Sequence, residues 1–239
     1  MKIDPSDWAP ISSGAKLISG LEQEAAGFVL AGGASSRMGR DKAQLVFGGK
    51  PLVERTLAIL REAGLTASIA GARGPLEQLA HFGPVIADAE PGLGPLGGIC
   101  TALASTSARL AVFLTVDAPF LPSGLIRFLL DHARLTSRSV TLATLGGKAQ
   151  SFPVVLDRSI LPFLQSELGA GRAACMRAFL AAAAASGESP SLLPVEWLLQ
   201  SGQVAHPGGL PVAHWFLNLN SAADLAIAER LLSRAVVPQ

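Results

Sequence analysis

The chain has 239 residues, 49% of them apolar and 15% charged, with a formal net charge of +1. That length suits one large domain or two small ones. The apolar content predicts a sizeable core and excludes a disordered chain. The near-neutral balance gives no reason to expect nucleic acid or an anionic membrane as partner. The two cysteines, Cys100 and Cys175, form neither a C-x-x-C pair nor a zinc spacing, so small buried hydrophobes in a reducing compartment are expected. The opening MKIDPSDWAP lacks the apolar run of a signal peptide, and nowhere do about 18 uninterrupted apolar residues occur. A soluble, cytoplasmic protein is the expectation.

Residues 1–25 read as an extension ahead of the fold, with a short helix at 15–24, and 26–239 as a single domain. A first strand is predicted at 27–31 and a helix at 51–63, where Pro51 suits a first turn. A strand at 67–70, a short helix at 75–82 and a strand at 85–87 follow. Asp88 ends that strand. A Gly/Pro-rich loop at 90–98 leads into a helix near 98–106. Residues 110–116, LAVFLTV, read as a buried central strand ended by Asp117 and Pro119. A helix at 122–134 is predicted next. Strands at 140–144 and 152–156 flank a Gly146-Gly147-Lys148 turn. Helices are expected at 157–167 and 173–185, a Ser/Gly/Pro-rich stretch at 186–213 with a helical piece at 195–200, and a last strand at 215–217. A closing helix at 221–234 takes Ser221 as its N-cap. Alternating strands and helices predict an α/β sandwich with a mostly parallel sheet.

The most informative stretch is FVLAGGASSRMGRDK at 28–42. It reads as a buried strand running into a glycine-rich turn that carries Arg37, Arg40 and Lys42. Gly32 and Gly33 allow unusual backbone dihedrals and close approach to a ligand. N–H groups in such a turn can cradle phosphate oxygens. Arg37 as a planar fork and Lys42 as a point charge can neutralise the same phosphates. Five residues separate Gly33 from Gly39 and Arg40 follows, so this is not a P-loop. Nor does it supply the G-x-G-x-x-G of a dinucleotide fold.

In an open parallel sheet, ligands bind beyond the carboxyl ends of the strands. The glycine loop, Asp88, Asp117 and Asn218-Leu219-Asn220 all fall at such predicted ends. Asp117 can hold a divalent cation, since Mg²⁺ takes one or two carboxylates and completes its shell with water and phosphate oxygens. It can equally cap the turn before Pro119. Asp88 can accept from a nucleobase edge or form an Asx-turn. The glycines at 94, 97 and 98 serve as turn or helix-packing residues as readily as ligand contacts. Asn218 and Asn220, alternating on a strand, share a face and either bind an acceptor or belong to the cap of the following helix, where Asp224 stands.

The pattern L-A-G-G-x-S-x-R-M-G-x-D-K resembles the signature of nucleotidyltransferases, and in this form it is most similar to the molybdenum cofactor guanylyltransferases, the MobA family. VDAPFLP resembles that family's D-x-P-x-x-P segment, and NLNSAADL its N-[VI]-N-T-P-E-[ED]-L segment. The resemblance runs from about Gly27 to Leu232. It implies a three-layer, Rossmann-like nucleotidyltransferase sandwich. It implies Mg²⁺ on Asp117, and phosphate contacts and catalysis from Arg37, Lys42 and Asp117. It also implies that Leu30, Ala31, Gly32, Gly33 and Asp88 lie along the nucleotide, with Asn218 and Asn220 on the acceptor. The substrates implied are GTP and molybdopterin or the molybdenum cofactor, with molybdenum-enzyme or cofactor-biosynthesis proteins as further partners.

Three positions depart from the family pattern on the acceptor side: Gln150-Ser151-Phe152-Pro153 in place of a basic-His-Pro segment, a single Arg172 after Gly171, and a long 186–213 stretch. Ala70 stands where Asn is frequent. The expected chemistry is attack of the acceptor's terminal phosphate on the α-phosphate of GTP, with pyrophosphate leaving. That phosphate is already nucleophilic, so no Ser, Cys or His needs activation, and catalysis rests on positioning and charge stabilisation. The alternatives are a molybdopterin cytidylyltransferase, a sugar-1-phosphate nucleotidyltransferase, and a nucleotide-binding module without transfer activity.

Overall fold

The computed structural model describes residues 24–32, 42–71, 77–88 and 92–235. Apart from Glu24, the helix expected at 15–24 lies outside them. Two runs in this sequence dictate the centre of the sheet. β1 (Ala25–Leu30) and β6 (Leu110–Thr115) pair in parallel from Ala25↔Leu110 to Leu30↔Thr115. Their side chains alternate between two apolar clusters, one on each sheet face. Val29, Leu110, Val112 and Leu114 enter the first; Phe28, Leu30, Ala111 and Phe113 enter the second. Both faces are therefore dry, which is why these strands are apolar throughout.

The main sheet has seven strands in the order β5-β4-β1-β6-β8-β7-β9, with β4 (Thr66–Ala70), β5 (Val85–Ile86), β7 (Val140–Leu145), β8 (Lys148–Asp157) and β9 (Ser191–Pro194). β8 alone runs antiparallel to its neighbours β6 and β7. A small hairpin of β2 (Val46–Phe47) and β3 (Lys50–Pro51) stands apart. α1 (Leu52–Glu62) and α4 (Ser123–Thr136) cover one face; α3 (Gly94–Ser105), α5 (Leu161–Gly169) and α6 (Cys175–Ala185) cover the other. This is the expected three-layer, mostly parallel α/β sandwich. α1 buries Leu52, Val53, Thr56, Leu57, Ile59 and Leu60 on one side, each large apolar side chain contributing about 1.5–3 kcal/mol. It stops at Gly64, whose φ of +87° suits the left-handed residue that closes a helix. α2 (Glu77–Ala80), α7 (Val195–Gln200) and α8 (Ala222–Ala235) complete the helices among the described residues.

Five expectations are corrected. β1 begins at Ala25, which is fully buried, and not at residue 27. α3 begins at Gly94 rather than near 98, because Pro95 is accommodated in the first turn and Gly97 and Gly98 are buried packing residues. The helix expected from 157 begins one residue later: β8 extends to Asp157, whose carboxylate accepts from the Ser159 N–H at 3.0 Å and caps a 3₁₀ turn at Arg158–Ile160 that runs into α5. Residues 191–194 form a strand in place of loop, and its flanking prolines are tolerated because it lies at the sheet edge. Trp215-Phe216-Leu217 is not a strand. A 3₁₀ turn at Val212–His214 delivers Trp215, fully buried, into the core, where its Nε1 donates to the Leu210 carbonyl at 2.8 Å. A three-residue apolar run does not distinguish a strand from a core plug.

Candidate active site

Register places the site. Ile86, Ala70, Leu30 and Thr115 form one hydrogen-bonded row across the four parallel strands β5-β4-β1-β6. The chain turns out of the sheet just beyond that row. Asp88 and Asp117 each stand two residues past it, at opposite ends, with three strand spacings or about 14 Å between the strands that carry them. Such an edge suits an elongated ligand rather than a single ion.

Between them lie the glycines. Leu30 is buried at the end of β1, and the Ala31 N–H donates to the Ala70 carbonyl at 3.0 Å. At Gly32 the backbone runs so close to Gly71 that a Cβ would collide with the Gly71 carbonyl oxygen. Gly71 itself takes φ +70°, a conformation open chiefly to glycine. A methyl built on Gly98 would lie 3.0 Å from Gly71 Cα and 3.6 Å from Asp88 Oδ1. Gly32, Gly71, Gly98 and the half-buried Asp88 thus form one close-packed corner. Gly71 carried no signal in the sequence beyond its place after a strand. Gly33 and Arg37 lie outside the described residues.

At the other end, Lys42 opens a short 3₁₀ turn anchored by the fully buried Ala43. Its Nζ donates to Asn220 Oδ1 at 2.7 Å and stands 3.6 Å from Asp117 Oδ2. The Lys42 and Asp117 side chains are 17% and 24% exposed, so the pair is sheltered yet open to a ligand. Asn220 arrives without a strand. The Leu219 N–H donates to the Asp117 carbonyl at 2.8 Å, and Leu219 is fully buried. Asn218 and Asn220 emerge on either side of it and are exposed. The predicted alternation of the two amides survives, but a single backbone hydrogen bond produces it, not sheet pairing. The predicted Ser221 cap is present: Ser221 Oγ accepts from the Asp224 N–H at 3.2 Å. Asp224 Oδ2 in turn accepts from Ser221 Oγ at 2.8 Å and from the Asn220 and Ser221 N–H groups at 3.0 and 2.8 Å. Donation by the Ser221 hydroxyl, then by the Asn220 N–H, holds the Asp224 carboxyl below its ordinary range.

Beside Asp117 opens a cavity of about 340 Å³ lined by Thr115, Gln150, Ser151, Phe152, Phe216 and Asn218 among others. It lies along the stretch where β8 breaks register with β7. Leu142 pairs with Val154 and Thr144 with Ala149, so the four residues 150–153 stand opposite Ala143 alone. Pro153 lacks an N–H and belongs at such an irregularity. Phe216 was missed as a lining residue because it read as strand interior. Apart from the Asp117 carboxylate, the cavity wall offers neutral amides, hydroxyls and two aromatic rings.

The donors available to a divalent cation are hard oxygens: the Asp117 carboxylate, with the Asn218 amide on the same cavity wall. Among the described residues no cluster of three or more His, Cys, Asp or Glu side chains is built for a metal. A single carboxylate fits Mg²⁺, which draws its remaining ligands from water and substrate phosphate, and does not fit a protein-only cage. No helix among the described residues is long and apolar enough to cross a membrane.

Known proteins resemble this chain in sequence and in fold. The chain is 42% identical over 111 residues to a molybdenum cofactor guanylyltransferase of Xanthomonas euvesicatoria, a match covering 46% of this chain and 56% of that protein. It is 33% identical over 156 residues to one of Pseudomonas entomophila, covering 64% of this chain and 81% of that protein. The match to the first thus spans little more than half of that relative. The fold matches the crystal structure of molybdopterin-guanine dinucleotide biosynthesis protein A from Archaeoglobus fulgidus with a TM-score of 0.70 at 20% identity, over 87% of this chain and 99% of that one. The profile of the MobA-like NTP transferase domain covers residues 27–187, from β1 through the β8 break to the end of α6. With the glycine corner, Asp88 and Asp117 all inside that span, the chain belongs to the MobA-like NTP transferase family.

Proposed function

We propose that the protein transfers GMP from GTP to the terminal phosphate of molybdopterin, releasing pyrophosphate. The observation that carries this reading is the triad of Lys42, Asp117 and Asn220 at the carboxyl edge of the parallel strands. It gathers a cation, a carboxylate and an amide where a phosphate chain would lie, with no nucleophilic side chain required. The guanine would sit against Asp88 and the backbone of Leu30, Ala31, Gly32 and Gly33, and the phosphates toward Lys42 and Arg37. A carboxylate accepting from two N–H groups matches the edge of guanine that carries N1–H and the 2-amino group. Asp117 would hold Mg²⁺. Bound there, Mg²⁺ would supply charge neutralisation on the phosphates and on the leaving pyrophosphate.

Lys42 would bind phosphate and keep the approaching acceptor from meeting uncompensated negative charge. The acceptor would enter through the cavity beside Asn218, its phosphate held between Asn218 and Asn220. Thr115, Phe152 and Phe216 would exclude water from that wall. We assign one catalytic domain from the start of β1 onward, which moves the expected boundary at 26 back to include the buried Ala25. Titration calorimetry with GTP, CTP and ATP, with and without Mg²⁺, tests the nucleotide. Selective GTP binding that weakens in Asp88→Ala is expected; a preference for CTP would overturn the guanine assignment. Asp117→Ala should stay folded and lose at least about 100-fold in pyrophosphate release, and near-normal Mg²⁺-dependent turnover would sink its metal role.

A further inference from the structure

We propose that Asp224 is a positioning residue for Lys42, acting through Asn220. The inference rests on the reading of Lys42 as a phosphate ligand. A helix cap at Ser221 needs only the hydroxyl of Ser221, which already accepts from the Asp224 N–H at 3.2 Å. Asp224 does more than reciprocate. Its Oδ2 reaches past the cap to the Asn220 N–H at 3.0 Å, a donor lying ahead of α8, where no helix amide requires a partner. One oxygen therefore ties the backbone of 220 and 221 to the first turn of α8. Asn220 is exposed, so among the described residues no packing fixes its direction.

What remains to aim its amide oxygen is the backbone bond from Asp224 behind it and the buried Leu219, bonded to the Asp117 carbonyl at 2.8 Å, before it. Held from both sides, Asn220 Oδ1 takes the Lys42 ammonium at 2.7 Å. That bond sets the ammonium 3.6 Å from Asp117 rather than in direct contact with it. The Asp117 oxygens are thereby left partly uncommitted. Without Asp224, the segment 220–221 loses its tether, the amide turns freely, and the long Lys42 chain can collapse onto Asp117.

The test measures the reactivity of Lys42 with an amine-acylating ester by mass spectrometry, alongside pyrophosphate release, in the wild type and in Asp224→Ala, Asp224→Asn, Ser221→Ala and Asn220→Ala. Asp224→Ala should change Lys42 acylation severalfold and lower kcat about tenfold. Asp224→Asn keeps an acceptor oxygen and should restore much of both. Ser221→Ala should lower the melting temperature without moving Lys42. In the Asn220→Ala background, Asp224→Ala should have no further effect on Lys42. Equal losses of stability in Asp224→Ala and Ser221→Ala, with Lys42 reactivity unchanged in both, would overturn the proposal. Because acylation needs no turnover, a wild type that releases no pyrophosphate would refute the transferase reading, while the Lys42 result would still decide the role of Asp224.

Discussion

The two halves of the sheet are built on opposite plans. In the half formed by β5, β4, β1 and β6, four parallel strands end on one register row, and three glycines let backbone pack on backbone behind it. In the half formed by β8, β7 and β9, register is broken, and the irregular stretch of β8 lines the cavity together with the end of β6. The first half creates a rigid edge by removing side chains; the second lines a hollow where its pairing is irregular. A polyphosphate-bearing ligand needs the first kind of surface, because backbone donors must come within hydrogen-bond reach of it. A shaped acceptor needs the second. Lys42, Asp117 and Asn220 sit on the seam between them.

The sharpest way to break this contrast is Gly32→Ala. Its Cβ would meet the Gly71 carbonyl, which is backbone and cannot swing aside. We expect about 1–3 kcal/mol of destabilisation together with loss of GTP affinity. Calorimetric binding at wild-type strength would show that the glycine corner is not part of the nucleotide surface. On the other half, Phe216→Ala should leave GTP binding alone and raise the KM for the acceptor about tenfold, the loss expected for a partly exposed aromatic wall. An unchanged acceptor KM with a weakened GTP affinity would reverse the assignment of the two halves.

The smallest effect concerns His206, which stands beside the core plug at Trp215. Its Nδ1 accepts from the Gly208 N–H at 3.0 Å, and its ring lies 6.2 Å from that of the buried Trp215. Burial lowers its affinity for protons below the ordinary value near 6.5, opposed by a hydrogen bond with the Phe120 backbone. The unfolded chain therefore binds a proton that the folded chain refuses. This contribution to stability is complete above about pH 6.5 and is lost as pH falls through the depressed folded value. Thermal melts of wild type and His206→Gln between pH 7.5 and 5 should show a shallower acid limb in the variant. Identical limbs would show that folding does not lower the affinity of His206 for protons.

Much of this protein was legible before its structure. Apolar runs such as 110–115 have no way to be stable except between two covering layers, so the α/β sandwich followed from hydropathy and alternation. The glycine loop, Asp88 and Asp117 were visible because each follows a strand whose end is marked by a change in residue type. Ser221 was legible as a cap because capping is local chemistry.

What tertiary structure decided was everything that depends on a partner distant in sequence. The collision that makes Gly32 necessary comes from Gly71, and the cavity gathers its wall from the end of β6, the irregular stretch of β8 and the segment at Phe216 and Asn218. Trp215-Phe216-Leu217 misled because burial of a short apolar run has the same local signature whether it pairs in a sheet or plugs a core. Asn220 meets Lys42 across 178 residues of chain, through one backbone bond between Leu219 and Asp117. Local sequence carries propensity and periodicity; contacts between distant segments are settled only when the layers close on one another.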